Sequence, residues 1–203
     1  ANVHKINHGF IEKGDLVRPK NFGKKECVYI GNLTIAYLDW EVIYQIAHNT
    51  PVVNFTFVGN EFGQLEAHQK GFFEKAKALD NTKFVGRKTP AEVKEILSAS
   101  DFSLLAYDFE KYPLQLENSH KLMQYLGAGK PIFASYTLEF DGFEDIFMYR
   151  KRKSAAKAFQ EFVQDKRSMF SEASSDKRIN FALDHTYSNQ LRKVEKIVFT
   201  KNI

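Results

Sequence analysis

Three short runs of β-branched and aromatic residues each stop at a glycine: Cys27-Val28-Tyr29-Ile30 at Gly31, Val52 to Val58 at Gly59, and Lys83-Phe84-Val85 at Gly86. Between and after them lie segments whose apolar residues recur at helical period. That alternation is the pattern of strand–helix–strand units laid into a parallel sheet. Trp40, Ile43, Tyr44 and Ala47 fall at i, i+3, i+4 and i+7, which places a helix at about Asp39 to His48. Charged and apolar residues alternate at the same period from Gln64 to Ala78. Thr89-Pro90-Ala91-Glu92 puts a hydroxyl at the cap, Pro at the first helical position and Glu three residues on, so a capping box opens a helix from Pro90 to Ser98. Asp101 to Ala106 supplies a fourth strand, and Asn118-Ser119-His120 suits the start of a helix running to about Leu126. Gly127-Ala128-Gly129 stops that helix, and Lys130-Pro131 leads into a fifth strand, Ile132 to Ser135. Ile146 to Tyr149 is a weaker sixth. Ala155 to Val163 and Asn180 to Phe199 read as helices, the second with Leu183, Tyr187, Leu191, Val194 and Val198 spaced to bury one face.

The predicted fold is α/β, a doubly wound, Rossmann-like parallel sheet of about six strands with helices on both faces. No repeat, low-complexity tract or linker interrupts the chain from about Cys27 onward. In such sheets a ligand sits at the carboxyl ends of the strands, here Gly31-Asn32, Gly59-Asn60, Gly86-Arg87, Tyr107-Asp108 and Ser135-Tyr136.

Composition narrows the function. With 203 residues the chain buries a substantial core. Cys27 is its only cysteine, which excludes a disulfide framework and a cysteine-based zinc cluster and fits a reducing, cytoplasmic compartment. The net charge of +4, from 29 Lys and Arg against 25 Asp and Glu, is too small and too dispersed for a nucleic-acid binder. The dense basic run Arg150-Lys151-Arg152-Lys153 reads as a strand cap or a solvated helix start. No stretch approaches the roughly 18 apolar residues of a spanning helix, and the amino end has no signal pattern. Ala1 stands where Met would open a complete protein, and the residues after it read like the middle of a longer one.

Several chemistries fail on spacing. Gly127-Ala128-Gly129-Lys130 resembles the end of a phosphate-binding P-loop, but Gln124 and Pro131 stand where that motif needs Gly and Ser or Thr. No Gly-x-Gly-x-x-Gly follows a strand. The six histidines do not pair at metal-ligand spacing, and no Asp-x-Asp occurs, so no metal is expected. Gly-x-Ser-x-Gly is absent and Cys27 falls in a buried strand, leaving no covalent nucleophile.

The segment from Asn118 to Pro131 remains. Its start brings free N–H groups, a cap hydroxyl and the Lys121 ammonium to a helix amino terminus, which suits a phosphate, and Gln124 one turn on suits ribose hydroxyls. An amphipathic helix with a solvated lysine explains the same residues. The segment resembles the Pro-x-Lys-x-x-Glu-Tyr-Leu-Ala-x-Gly-Lys-Pro-Val stretch in the donor-binding half of GT-B-fold glycosyltransferases of the group 1 type. Further pieces match in order: Tyr29-Ile30-Gly31-Asn32-Leu33, Asp39-Trp40-Glu41, Phe57-Val58-Gly59, Phe84-Val85-Gly86-Arg87, and Ala99 to Leu104. His8-Gly9 is similar to the family's interdomain linker, which assigns 1–24 to a linker-like segment and 25–203 to the nucleotide-sugar domain. The closing helix resembles the one that crosses back to the first domain.

The resemblance implies that Gly31, Asn32 and Leu33 line the diphosphate and sugar, and that Gly86 and Arg87 border the base. It implies that Asn118, Ser119, His120 and Lys121 meet phosphate or sugar and that Gln124 faces the ribose. Many relatives carry two glutamates eight positions apart where this chain has Leu116 and Gln124, with Glu117 a substitute for the first, and Asn32 replaces a basic residue. The implied activity is transfer of a sugar from a nucleotide-sugar donor, without a cofactor or metal, to an acceptor held by an N-terminal domain absent from this chain. That domain would also carry any peripheral membrane association, and this half alone would bind the donor without turning it over. A degenerate binding or scaffold module, or the donor half of a sugar-nucleotide epimerase, would share these features.

Overall fold

A computed structural model describes residue 23 and residues 25–117, 119–164 and 168–199. Apart from residue 23, the linker-like segment, with His8-Gly9, lies outside the described residues. The elements run β1 (Glu26–Ile30), α1 (Trp40–Asn49), β2 (Asn54–Val58), α2 (Ala67–Lys77), β3 (Thr82–Phe84), α3 (Pro90–Ala99), β4 (Phe102–Leu105), α4 (His120–Gly127), β5 (Ile132–Ser135), β6 (Phe147–Tyr149), α5 (Ala155–Gln164), α6 (Glu172–Asp184) and α7 (Tyr187–Phe199). All strand pairs are parallel, in the order β3-β2-β1-β4-β5-β6. The order reverses between β1 and β4, so the chain winds outward in two directions and helices cover both faces. On one side α1 packs against α2 and α5, and elsewhere α4 packs against α6.

The strands are apolar on both faces, as a parallel sheet sandwiched by helices requires; every residue of β4 and β5 is buried. Phenylalanine and tyrosine fill the layers. Trp40 lies 4.7 Å from Phe73 and 5.3 Å from Phe57 between ring centroids, and Phe133 meets Phe159 edge-on at 5.0 Å. Cys27 is buried there, and burial pushes its thiol up. Among the described residues no helix is long and apolar enough to cross a membrane.

Three expectations need correction. β2 begins at Asn54 rather than Val52, because the N–H of Val53 closes a turn onto the Thr50 carbonyl at 3.1 Å. The single long helix from Asn180 is two helices. The Thr186 hydroxyl accepts from the N–H of Asn189 at 3.2 Å and the Asn189 amide donates to the Leu183 carbonyl at 2.9 Å, so local side-chain bonds replace the helical ladder there. The stripe expected to be buried is open on α7, where Tyr187, Leu191, Val194 and Val198 are exposed.

Gly127-Ala128-Gly129-Lys130 is a helix stop. Gly129 sits at φ +67°, and its carbonyl accepts from Arg178 Nε at 3.1 Å and Nη2 at 3.0 Å. The buried Lys130 donates to the Ser98 carbonyl at 2.9 Å and to that of Ser100, closing the end of α3 rather than meeting a ligand. Its ammonium is lowered to about 8 by burial.

Candidate functional site

The reversal point of the sheet is where β1 delivers its terminal glycine and the chain after β4 delivers α4. Gly31, at φ +154°, lies against the side chain of Lys121; a Cβ on Gly31 would fall 2.2 Å from Lys121 Cε and 3.0 Å from its Nζ. The Tyr125 hydroxyl, one helical turn beyond Lys121, accepts from the N–H of Ile30 at 2.8 Å and clamps α4 to the end of β1. Lys121 Nζ donates to the Tyr107 hydroxyl at 2.8 Å and lies 5.9 Å from the Tyr29 ring. Burial pushes the Tyr107 phenol up and lowers the Lys121 ammonium. Among the described residues no carboxylate pairs with Lys121, so the site presents a half-buried cation with a neutral partner.

The glycine ends of the first three strands form a row. The N–H of Gly31 donates to the Val58 carbonyl at 2.8 Å, and that of Gly59 to the Gly86 carbonyl at 2.9 Å. Gly59 is pressed so closely on the first loop that a Cβ there would lie 1.7 Å from the Gly31 carbonyl oxygen. Beside the row is a cleft of about 360 Å³ lined by Ile30, Gly31, Gly59, Asn60, Phe62 and Arg87, among others. Gly86, at φ +68°, turns the chain toward Arg87, which is exposed and has no ion-pair partner among the described residues.

The sequence-predicted residues divide. Gly31, Lys121, Gly86 and Arg87 gather on this edge. Asn32 is spent on its own loop, where its side-chain oxygen accepts from the N–H of Thr34 at 2.9 Å. Leu33 is fully buried; its N–H donates to the Asn60 carbonyl at 3.0 Å and its carbonyl accepts from Trp40 Nε1 at 2.9 Å, so it offers the cleft no free group. Ser119 caps α4, its hydroxyl accepting from the N–H of Leu122 at 3.4 Å. His120 is the exposed first residue of that helix. Gln124 is half-buried with its amide unpartnered among the described residues, and Glu117 is half-buried beside the core residue Leu116. Asn118 lies outside the described residues.

Sequence reasoning missed Tyr29, Tyr107 and Tyr125. The signal for Tyr125 was its i+4 spacing from Lys121 on one helix face. The signal for Tyr107 was its place at the carboxyl end of β4, but its hydrogen bond to Lys121 depends on where α4 packs, which no local pattern gives. Among the described residues no three His, Cys, Asp or Glu side chains converge in the manner of a metal site.

A profile of the glycosyl transferase-like family matches residues 40–196. The chain belongs to that family. Its fold is that of a GT-B glycosyltransferase domain. HepE of Anabaena, solved with UDP and glucose, superposes with a TM-score of 0.63 at 16% identity over 88% of this chain and 48% of HepE. The pneumococcal O-GlcNAc transferase GtfA, solved with UDP and GlcNAc, gives 0.63 at 16% over 94% of this chain and 38% of its own. Sucrose-phosphate synthase of Thermosynechococcus elongatus gives 0.63 at 14% over 90% and 47%. This glycosyltransferase-family chain thus spans less than half the length of each of these three structures. No curated protein matches it by sequence.

Proposed function

We propose that this chain is the donor-binding half of a glycosyltransferase, holding a nucleoside diphosphate sugar at the carboxyl edge of the sheet. The diphosphate lies between Gly31 and Lys121 at the amino end of α4, and the base lies toward Gly86 and Arg87. The observation that carries this reading is the Lys121 ammonium, held against Gly31 by Tyr107 with no carboxylate beside it among the described residues. Burying a cation without a counter-charge is costly, and an anionic ligand removes that cost. The relatives solved with UDP make a nucleoside diphosphate the natural anion.

In the transfer, the bond from the sugar's anomeric carbon to the diphosphate oxygen breaks, and its electron pair stays on the leaving diphosphate. Lys121, at the amino end of the α4 dipole, is oriented to stabilise that charge as it develops, and this reading requires no divalent ion. Gln124 takes the ribose contact as a neutral hydrogen-bonding group. Leu116 is buried and offers no carboxylate, so Glu117 is the acidic residue available to the sugar. The acceptor and its base belong to a domain beyond these residues, so this half binds the donor without turning it over efficiently.

Calorimetric titration with UDP, GDP and ADP tests the reading. One of the three should bind in the micromolar to low-millimolar range, and Lys121→Ala should weaken it about tenfold or more, the order expected for a charge-assisted contact. Absence of binding to all three, or a variant that binds as the parent does, would overturn it.

A further inference from the structure

Phe62 is the most exposed large apolar side chain in the described structure, at 86%, yet the chain around it is tied down. Its carbonyl accepts from the Thr34 hydroxyl at 2.9 Å. The next residue, Gly63, packs so tightly on Thr34 that a Cβ there would fall 2.4 Å from the same hydroxyl oxygen. On the other side Glu61 takes an ion pair from Lys77 of α2 at 2.6 Å. A bulky aromatic ring is therefore presented to water from an anchored backbone, with no aromatic neighbour among the described residues. A ring this exposed contributes little to the core and is open to a ligand in the cleft that it lines.

The ring's position indicates that partner. Phe62 lines the same cleft as Gly31, Gly59 and Arg87. Its loop follows β2, which lies between β1 and β3 in the sheet. The Lys121 ammonium sits at the end of β1 and Arg87 follows β3, two strand spacings or about 10 Å across the edge. Phe62 shares this cleft with Gly31 and Arg87 and so stands between the proposed phosphate end and Arg87.

Resting on the donor reading above, we propose that Phe62 is the stacking platform for the nucleobase of the donor. Stacking on a ring tolerates any base because every base has a π face. Phe62 thus supplies affinity, and the polar groups at Gly86 and Arg87 choose among bases.

The test titrates the parent chain, Phe62→Ala, Phe62→Trp and Lys121→Ala with the best-bound of UDP, GDP and ADP and, separately, with inorganic pyrophosphate. Because Phe62 is solvent-exposed its removal leaves the core intact, which circular dichroism checks. Phe62→Ala should lose about tenfold in nucleotide affinity, keep its pyrophosphate affinity, and be rescued by Phe62→Trp. Lys121→Ala should lose both ligands. If Phe62→Ala binds the nucleotide as the parent does while Lys121→Ala does not, the platform fails and the donor site stands. Equal losses for nucleotide and pyrophosphate would also overturn the platform, since the loop itself would then be at fault. If the parent binds none of the nucleotides, both readings fall together.

Discussion

Lys121 reaches the end of β1 by a short route: Tyr125 fixes the helix, Tyr107 fixes the ammonium, and Gly31 leaves the room. Burial lowers its affinity for a proton in the free protein, and an anion beside it restores that affinity. Binding a nucleoside diphosphate sugar should therefore take up a proton at alkaline pH. Affinity should be flat below the lowered value and fall as pH rises through it, starting below the ordinary lysine value of about 10.4. Titrations from neutral to alkaline pH check this, and Lys121→Ala should remove the alkaline fall. Leu33 shows the limit of motif reading at this scale. Its position in the glycine loop matched the expected pattern, but where a loop leucine points depends on the wall behind it, here α1 with Trp40.

At the scale of elements, starts and stops were legible because they are written within four residues. The α3 capping box forms as expected: the Thr89 hydroxyl accepts from the N–H of Glu92 at 3.3 Å, and the Glu92 carboxylate accepts from the N–H of Thr89 at 2.8 Å. Those bonds, chiefly from the Thr89 backbone, hold the Glu92 carboxyl down to about 2. Thr89→Ala should lower stability by about 1 kcal/mol in urea denaturation, without changing ligand affinity. The strand glycines, the Gly129 stop and the bounds of β5 were legible for the same reason. The break between α6 and α7 was not, because the apolar spacing continues through it unchanged. Two side chains, Thr186 and Asn189, end the helix there without any Gly or Pro.

Across the whole molecule, Arg152 is the residue that a linear reading of the basic run could not assign. Its guanidinium donates to Asp39 from Nε at 2.6 Å and from Nη2 at 3.0 Å, joining residues 113 apart. Asp39 is buried and also caps α1, so the pair ties the connection after β6 to the helix after β1. Arg152→Met should cost about 3 kcal/mol because it strands a buried carboxylate, and adding Asp39→Asn should recover much of that, since Asn caps as well as Asp does. Equilibrium unfolding of the three variants measures both effects. The glycine row has a different reach. With Gly59 against the Gly31 carbonyl and bonded onward to Gly86, the loops that follow β1, β2 and β3 cannot shift one at a time. In a saturation library, the first two of these positions should tolerate no other residue, and a change of donor would be found in the side chains around the row, Asn60, Phe62 and Arg87, while the row stays fixed.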